Sequence, residues 1–315
     1  MSTAIASLFG KGINKHFGLE MKAYSPKYSR VMHVIPMSGR ILDRQGWEVY
    51  APPEITLPLM PAFMSQIQES FSKRYFPIKR TLGDVIAEED WDDDEYGVLK
   101  RVVPARGGAM ARVFANKKEY DAANMFAIAG YSAASTVPGS PDGKSLFNTA
   151  HPISLNNSGT TVSNRPSVDV DLSHTTYYAA YANLTQQLES NNYNIIDNAP
   201  AQLVYNPKLR EVAVQIAKGD WERSTSNFNM NAAKADSLEL VEWAHFRKTG
   251  ATSAANAFNG WFVMGQEHSV NFAERQDIRA KSDYDINLGG YIWVASVRYD
   301  FGWDTYLGTY GSAGA

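Results

Sequence analysis

The chain has 315 residues, of which 44% are hydrophobic, enough to bury the core of one or two domains. Its net charge of −3 does not fit a general nucleic-acid-binding protein, and the absence of cysteine excludes disulfides and thiolate chemistry. No apolar run reaches membrane-spanning length, and the short apolar start, MSTAIASLF, lacks the preceding basic region of a secretory signal.

The first 80 residues lack regular periodicity. Residues 1–35 would not fold alone, and we expect an arm that becomes ordered where it is tied to something else. Residues 36–80 place two β-like flanks around a middle interrupted by Pro52, Pro53, Pro58 and Pro61. Proline excludes regular helix there and disfavours a central strand. Because long excursions from a compact domain are usually interaction loops, the pattern predicts a long β-hairpin-like loop.

The stretch from Trp91 to Ala129 predicts one very long helix that begins at Asp92. Asp92 and Glu95 have capping-box spacing, and acids in a first turn complement the helix dipole. Pro104 should kink or restart the helix near its first turns. Gly107 and Gly108 indicate a bend or a place where another backbone comes close. Apolar residues recur at helical spacing at Leu99, Val102, Val103, Met110, Val113, Phe114, Tyr120 and Phe126.

Helices and strands then alternate irregularly, which is typical of an α+β fold. A loop rich in Gly, Pro, Ser and Asn precedes a helix predicted over Leu172–Ser190, with Ser173 as its N-cap. The segment AQLVY predicts a strand. After it, Asn206 caps the next helix, Pro207 takes its first position and Gly219 ends it.

Three further segments predict strands. SLELVEWAHF and NGWFVMGQ are joined by a loop of small residues, and DINLGGYIWVASVRYDFGW predicts a final strand pair. In this last segment every second residue faces the same side of the strand, namely Tyr291, Trp293, Ala295 and Val297. Both faces of the strand are partly apolar.

Little in the sequence indicates catalysis. The six histidines lack metal-site spacing, and we predict no metal, no cofactor and no enzymatic activity. His151 and the acidic cluster at 92–95 would be the residues of a soluble hydrolase. However, a histidine before Pro152 in a polar loop is typical of a turn residue that hydrogen-bonds locally. The acidic cluster could also bind a divalent cation, but helix capping explains it with fewer assumptions.

Charge is distributed unevenly along the chain. Residues 1–50 carry seven Lys or Arg against three acids, and residues 84–95 carry eight acids and no base. Charged runs are usually solvated surface. The sharper interpretation is that a basic arm and loop meet an acidic patch on a neighbouring subunit. The candidate inter-subunit contacts are Arg40, Arg44, Lys73, Arg74, Asp92, Asp93, Asp94 and Glu95.

Three motifs together resemble the major capsid proteins of tailed phages, and within them the Mu-like head subunits. They are an acidic helix start ending in Y-G, a G-x-x-LF-x-T-x-HP loop and an SNRP-x-x-D-x-DLS helix start, at Glu89–Gly97, Gly143–Pro152 and Ser163–Ser173. The similarity continues through LVYNPKLREVAVQI and SLELVEWAHF. It covers about residues 70–275, and the two ends match only by position.

The resemblance implies an α+β fold of the Hong Kong 97 type, in which a long spine helix anchors a peripheral domain and an axial domain faces the capsomer centre. No long charged helical segment precedes the arm, so we expect no fused scaffolding region. The implied divisions are an arm at 1–35, an extended loop at 36–80, a peripheral domain at 81–196 with its spine at 92–129, an axial domain at 197–275 and returning strands at 276–315.

The resemblance also implies a function. A subunit of this family assembles with itself into pentamers and hexamers that enclose double-stranded DNA without reading its sequence. Its other partners would be a portal, with scaffolding or decoration proteins as further candidates, and no membrane is involved. It would be found in the virion capsid after assembly in the host cytoplasm. An encapsulin-type compartment with the same fold is the alternative, and a hydrolase using His151 is the alternative from another class.

Overall fold

The computed structural model describes residues 2–56, 60–131, 139–156, 159–222, 229–247 and 258–314. Its helices are α1 (Ser2–Ala23), α2 (Tyr28–Val31), α3 (Glu88–Asp92), α4 (Val98–Asn124), α5 (His174–Thr185) and α6 (Arg210–Lys218). Its strands are β1 (His33–Pro36), β2 (Leu42–Trp47), β3 (Glu69–Tyr75), β4 (Ile78–Ala87), β5 (His151–Pro152), β6 (Thr161–Val162), β7 (Pro200–Tyr205), β8 (Glu239–Glu242), β9 (Trp261–Gly265), β10 (Val270–Asp285), β11 (Gly290–Trp303) and β12 (Thr309–Ser312). The predicted α+β class is confirmed.

One four-stranded sheet has the order β1-β10-β11-β4, with β10, β11 and β4 antiparallel and β1 parallel to β10. Helices α1 and α4 cover one of its faces. The predicted alternation in β11 is confirmed, because Tyr291, Trp293, Ala295 and Val297 are all buried in the core beneath these helices. Phe17 of α1 packs edge-on against Trp293, with ring centroids 5.4 Å apart.

A second four-stranded sheet has the order β12-β9-β7-β8 and packs with α5 and α6 around a separate core cluster. The cap predicted for α5 is confirmed, and the predicted Asn206 cap is formed on a 3-10 turn, Pro207–Leu209, that leads into α6. The Ser173 side chain accepts a hydrogen bond from the Thr176 amide, and Asn206 accepts one from the Lys208 amide. Helix α5 ends at Thr185 rather than Ser190. The small-residue loop predicted after β8 falls largely outside the described residues.

The long helix begins six residues later than predicted. Residues 88–92 form the short helix α3, and a turn separates it from α4. The break occurs at Gly97, whose φ of 63° lies in the left-handed region that glycine adopts without strain. The predicted Asp92–Glu95 capping box is therefore wrong. Asp94 takes the capping role, because its Oδ1 accepts a hydrogen bond from the Val98 amide at 2.7 Å.

The rest of the long-helix prediction holds only in part. Helix α4 continues through Pro104, where a kink or restart was predicted, and through Gly107 to Asn124. A π-helical turn, Met125–Ala129, completes it. The close approach predicted at the glycines is confirmed. A Cβ atom on Gly107 would lie 2.7 Å from the Ile13 carbonyl oxygen of α1.

The arm differs most from expectation, because residues 2–23 form the 22-residue helix α1 along α4. A buried carboxylate fixes the chain directly after α1. Glu119 of α4 accepts hydrogen bonds from the Tyr24 hydroxyl at 2.5 Å, the Lys27 amide at 2.6 Å and Trp243 Nε1 at 2.7 Å. Burial and this carboxylate raise the pKa of Tyr24, so its hydroxyl remains a donor. The arm is therefore built into the core of the subunit.

Candidate assembly surfaces

The β2–β3 hairpin projects an apolar tip. Its strands pair antiparallel from Leu42↔Tyr75 to Trp47↔Glu69, and the segment between them has no regular structure in its described part. Side chains near the tip are strongly exposed, with Ile55 at 98%, Met64 at 83% and Ile67 at 70%. A single subunit gains nothing from displaying such residues, and contiguous exposed apolar surface in a soluble protein marks an interaction site.

The start of the tip is nevertheless held against the body of the subunit. The Val49 amide donates to Ser190 Oγ at 2.8 Å, and Asn191 donates to the Tyr50 carbonyl at 3.0 Å. Asn156 donates to the side chains of Glu48 and Gln68 at the two ends of the tip segment. These bonds give the hairpin a defined exit from the subunit while its apolar end stays uncovered.

The four predicted basic contacts lie at or beside the hairpin strands, and each already has a neighbour in its own chain. Arg44 pairs with Asp304 at 2.9 Å, and Arg74 pairs with Asp43 at 2.6 Å. Lys73 donates to the Gly139 carbonyl, while Arg40 lies over the Phe76 ring. Burial lowers the pKa of Lys73, and the nearby carboxylates of Asp300 and Asp304 oppose that shift.

The predicted acidic contacts lie together at the end of α3 and in the turn that leads to α4. Asp92, Asp93 and Glu95 are exposed, and within the described chain none of them forms an ion pair. We call residues 92–95 the acidic turn. No ion pair of the described subunit joins Asp92, Asp93 or Glu95 to the hairpin bases, so contact between these carboxylates and those bases would need a second copy.

His151 lies in the subunit as a structural residue. It is fully buried, stacks on Tyr306 with ring centroids 4.1 Å apart, and its Nδ1 lies 2.6 Å from an Asp142 oxygen. Its Nε2 faces two acceptors, the Leu146 carbonyl at 3.2 Å and Asn164 Oδ1 at 3.1 Å. Both ring nitrogens are occupied and the ring has no contact with solvent, which is not the geometry of a general base. The predicted turn is wrong, because His151 lies in β5 and its partners are 5 to 13 residues away.

Two other classes of site find no support in the described part of the chain. There is no cluster of three or more potential metal ligands, and the acidic turn does not form one. None of the helices there combines the length and apolar character needed to cross a membrane.

Comparison with known proteins decides the family. The family model described as "Phage capsid protein" matches residues 71–311, more than three quarters of the chain. This chain belongs to the phage capsid protein family. No curated protein sequence matches it.

Solved structures support the same fold at low sequence identity. The capsid structure of cyanophage P-SCSP1u is 14% identical with a TM-score of 0.52, and the match covers 90% of this chain and 86% of that one. The structure titled Microbacterium phage Oxtober96 is 9% identical with a TM-score of 0.51, covering 93% and 92%. The capsid of an empty GTA particle is 12% identical with a TM-score of 0.50, covering 93% and 91%. The capsid protein therefore has the predicted Hong Kong 97-type fold.

Family membership confirms the main functional prediction. The capsid protein is a structural subunit of a phage head, located in the virion capsid, and it associates with copies of itself. It is not an enzyme, and the hydrolase alternative is rejected on the family match and on the enclosed position of His151. Sequence reasoning did not identify the exposed tip residues individually. The available signal was a run of large apolar residues among prolines, which cannot be buried by a regular element.

Proposed function

We propose that the capsid protein assembles into pentamers and hexamers that enclose double-stranded DNA, and that the hairpin tip joins neighbouring subunits. The observation that carries the proposal is the exposed apolar tip around Ile55, Met64 and Ile67. Its burial on a second copy would contribute about 25 cal/mol per Å² of apolar surface. A contact between two different surfaces of identical chains generates rings, which is the geometry of a capsomer.

The proposal also assigns each part of the chain to a domain of the capsid fold. Residues 1–35 are the arm, 36–80 the extended loop, and 197–275 the axial domain at the capsomer centre. Residues 81–196 and 276–315 form the peripheral domain. The first sheet supports part of this division, because it brings β4 and β11, from before and after the 197–275 segment, into one layer. The boundaries differ from the sheets at two places: β10 begins at Val270, and β12 pairs with β9 in the second sheet.

Charge would fix the register between copies. In the acidic turn, Asp92, Asp93 and Glu95 are exposed and form no ion pair among the described residues, and Arg40, Arg44, Lys73 and Arg74 lie on or next to the hairpin that reaches outward. Because three of these bases already bond within the subunit, an inter-subunit contact would exchange or share those partners. Such exchange contributes more to specificity than to affinity.

Further partners follow from the same role. A head that is filled with DNA requires a portal, and scaffolding or decoration proteins are additional candidates. Assembly would take place in the host cytoplasm. The motifs at Glu89–Gly97, Gly143–Pro152 and Ser163–Ser173 support a place in the Mu-like group of head subunits.

The hairpin tip is tested with the variant Ile55→Ser/Met64→Ser. Both side chains are exposed, so we expect an unfolding transition like that of the wild type but few or no closed shells in negative-stain electron microscopy. Val168→Ser removes a similarly exposed apolar side chain elsewhere, at 74%, and should assemble normally. Normal shells from the tip variant would contradict the role of the tip.

A further inference from the structure

The two helices that cover the first sheet carry a strong excess of positive charge. Together α1 and α4 contain nine Lys or Arg and three Asp or Glu, although the whole chain has a net charge of −3. The excess is therefore local, and the rest of the subunit is correspondingly acidic.

The three acids of these helices are engaged within the subunit. Glu119 is buried among Tyr24, Lys27 and Trp243. Asp121 accepts hydrogen bonds or ion pairs from Arg80, Lys117 and Tyr299, and only 13% of its side chain is exposed. Glu20 pairs with Arg112 at 2.8 Å. The exposed charged side chains of the two helices are therefore almost all cations.

The exposed cations form one stripe on α1 and two stripes on α4, which are roughly 140° apart around the helix, one on the side of α1 and one on the side of β4. On α1, Lys15 and Lys22 share a stripe with exposed Leu19, opposite the buried Ile13 and Phe17. On α4, Arg112 contacts α1 through Glu20, and Arg101 lies three turns earlier on the same helix face. Arg106 pairs with Asp84 of β4, and Lys117 follows three turns later. We call this set, with its helices, the basic helical surface.

We propose that the basic helical surface is where the capsid protein faces the packaged double-stranded DNA; this inference rests on the proposed function and assigns a surface to it. Lys and Arg contact phosphates without reading the base sequence, and the release of counterions from the DNA favours such contacts. Helix α4 is roughly 40 Å long, so it spans about one turn of B-DNA, which is roughly 34 Å. Lys15, Lys22 and Arg101 have no ion pair within the described chain and are available to phosphate.

The opposite face of the sheet fits DNA less well. It carries Lys79, Arg279, Lys281 and Arg298, but Asp283 alternates with these bases on the same side of β10, and Val85 and Val294 leave apolar surface between them. This face therefore offers a matched control in which three exposed bases can be neutralised without touching the helices.

The test compares two triple variants, Lys15→Gln/Lys22→Gln/Arg101→Gln and Lys79→Gln/Arg279→Gln/Lys281→Gln. Binding of a mixed-sequence 30-base-pair DNA duplex to unassembled subunits is measured between about 50 and 300 mM salt. For the helical variant we expect an affinity at least about tenfold lower at 0.1 M salt. The slope of log K against log salt should fall by about 2 to 3, since each lost phosphate contact contributes about 0.9. The control variant should keep the wild-type slope.

Shell formation provides the second readout. The helical variant should still form shells, and closed wild-type shells should not bind added duplex, because the basic helical surface would face inward. An equal loss of DNA binding in both variants would overturn the inference. So would a helical variant that fails to assemble while binding DNA normally, because the surface, with its exposed Val102 and Val113, would then be a protein interface. A wild-type chain that forms no capsomers or shells would instead count against the proposed function, whatever the salt slope.

Discussion

Two irregular segments of this capsid protein have similar turn-rich sequences and opposite positions in the subunit. Residues 139–165, in their described part, are folded into the core, with Ser145, Leu146, Phe147, His151 and Asn164 fully buried. The tip of the β2–β3 hairpin, residues 48–68, exposes most of the apolar side chains in its described part. Composition alone predicts a loop for both, and it does not predict which one is buried.

Side-chain hydrogen bonds account for the difference. Asn164 donates to the Leu146 carbonyl at 2.7 Å and to Thr309 Oγ1 at 3.2 Å, and its Oδ1 accepts from the Asn148 amide and faces His151. Backbone groups of an irregular segment can be buried only when such partners replace water. The tip segment forms hydrogen bonds to the body of the subunit mainly near its two ends. It is therefore left for another molecule to cover, so one loop stabilises the subunit and the other is available for assembly.

The largest effect on folding is expected for Asn164→Ala. The change leaves several buried donors and acceptors unpaired, each costing about 1–3 kcal/mol. We expect the free energy of unfolding of the unassembled chain, measured by urea denaturation, to fall by about 3 kcal/mol or more. Asn156→Ala, in the same loop but bonded only to exposed groups of the hairpin, is the control and should cost less than about 1 kcal/mol. Equal losses in both variants would remove the distinction between the two loops.

A smaller, pH-dependent effect is expected at His268, a partly buried residue whose contacts also stabilise the subunit. Its ring stacks on His33 with centroids 4.3 Å apart. Burial, with a smaller contribution from His33, lowers its pKa to about 4. Histidine in the unfolded chain titrates near 6.5. Between these values the unfolded state binds more protons, so stability falls as the pH falls from about 6.5 to 4.

Part of this effect is screened by solvent, so we expect His268 to account for a loss of about 1–2 kcal/mol between pH 7 and pH 4.5. Urea denaturation at the two pH values measures it. His268→Gln should flatten the pH dependence, whereas His16→Gln, at an exposed position of α1, should leave it unchanged. A His268→Gln chain with the wild-type pH dependence would show that the stacked pair does not control acid stability.

Local signals in the sequence were sufficient for some of these elements. The caps at Ser173 and Asn206 were predictable because a cap bonds to an amide two or three residues away. The buried face of β11 was predictable because its alternation has a period of two. The sequence predicted hydrogen bonds for His151 but not their source, because the residue lies in β5 and its partners are 5 to 13 residues away rather than in a turn.

Other features depend on residues far apart in the chain. Helix α1 was missed because its buried residues, Ile13 and Phe17, are covered by α4 and β11, and no local pattern supplies those partners. The helix break depends on the left-handed conformation of Gly97, which competes with the acidic start that otherwise favours a helix. Asn164 became recognisable as a buried residue only through its contacts with Leu146 and Thr309.

The smallest effect on folding is expected for Asp92→Lys/Asp93→Lys/Glu95→Lys. This variant tests whether the acidic turn, like the hairpin tip, contributes to assembly rather than to subunit stability. The three side chains are exposed, and Asp94 is retained because it caps α4. We expect the free energy of unfolding to change by less than about 1 kcal/mol, mostly through the dipole of α4. Shell formation, followed by electron microscopy, should be strongly reduced because like charges would oppose each other across the interface.

A co-assembly experiment distinguishes a specific contact between the acidic turn and the hairpin bases from a non-specific effect of added positive charge on assembly. Chains with the reversed acidic turn are mixed with chains carrying Arg40→Glu/Arg74→Glu beside and on the hairpin. If the two sets meet between copies, neither variant assembles well alone, and the mixture forms shells because each reversed surface finds its complement. If the reversed turn assembles normally alone, or if mixing restores nothing while both variants remain folded, the acidic turn does not set the register and the apolar tip must specify the contact without it.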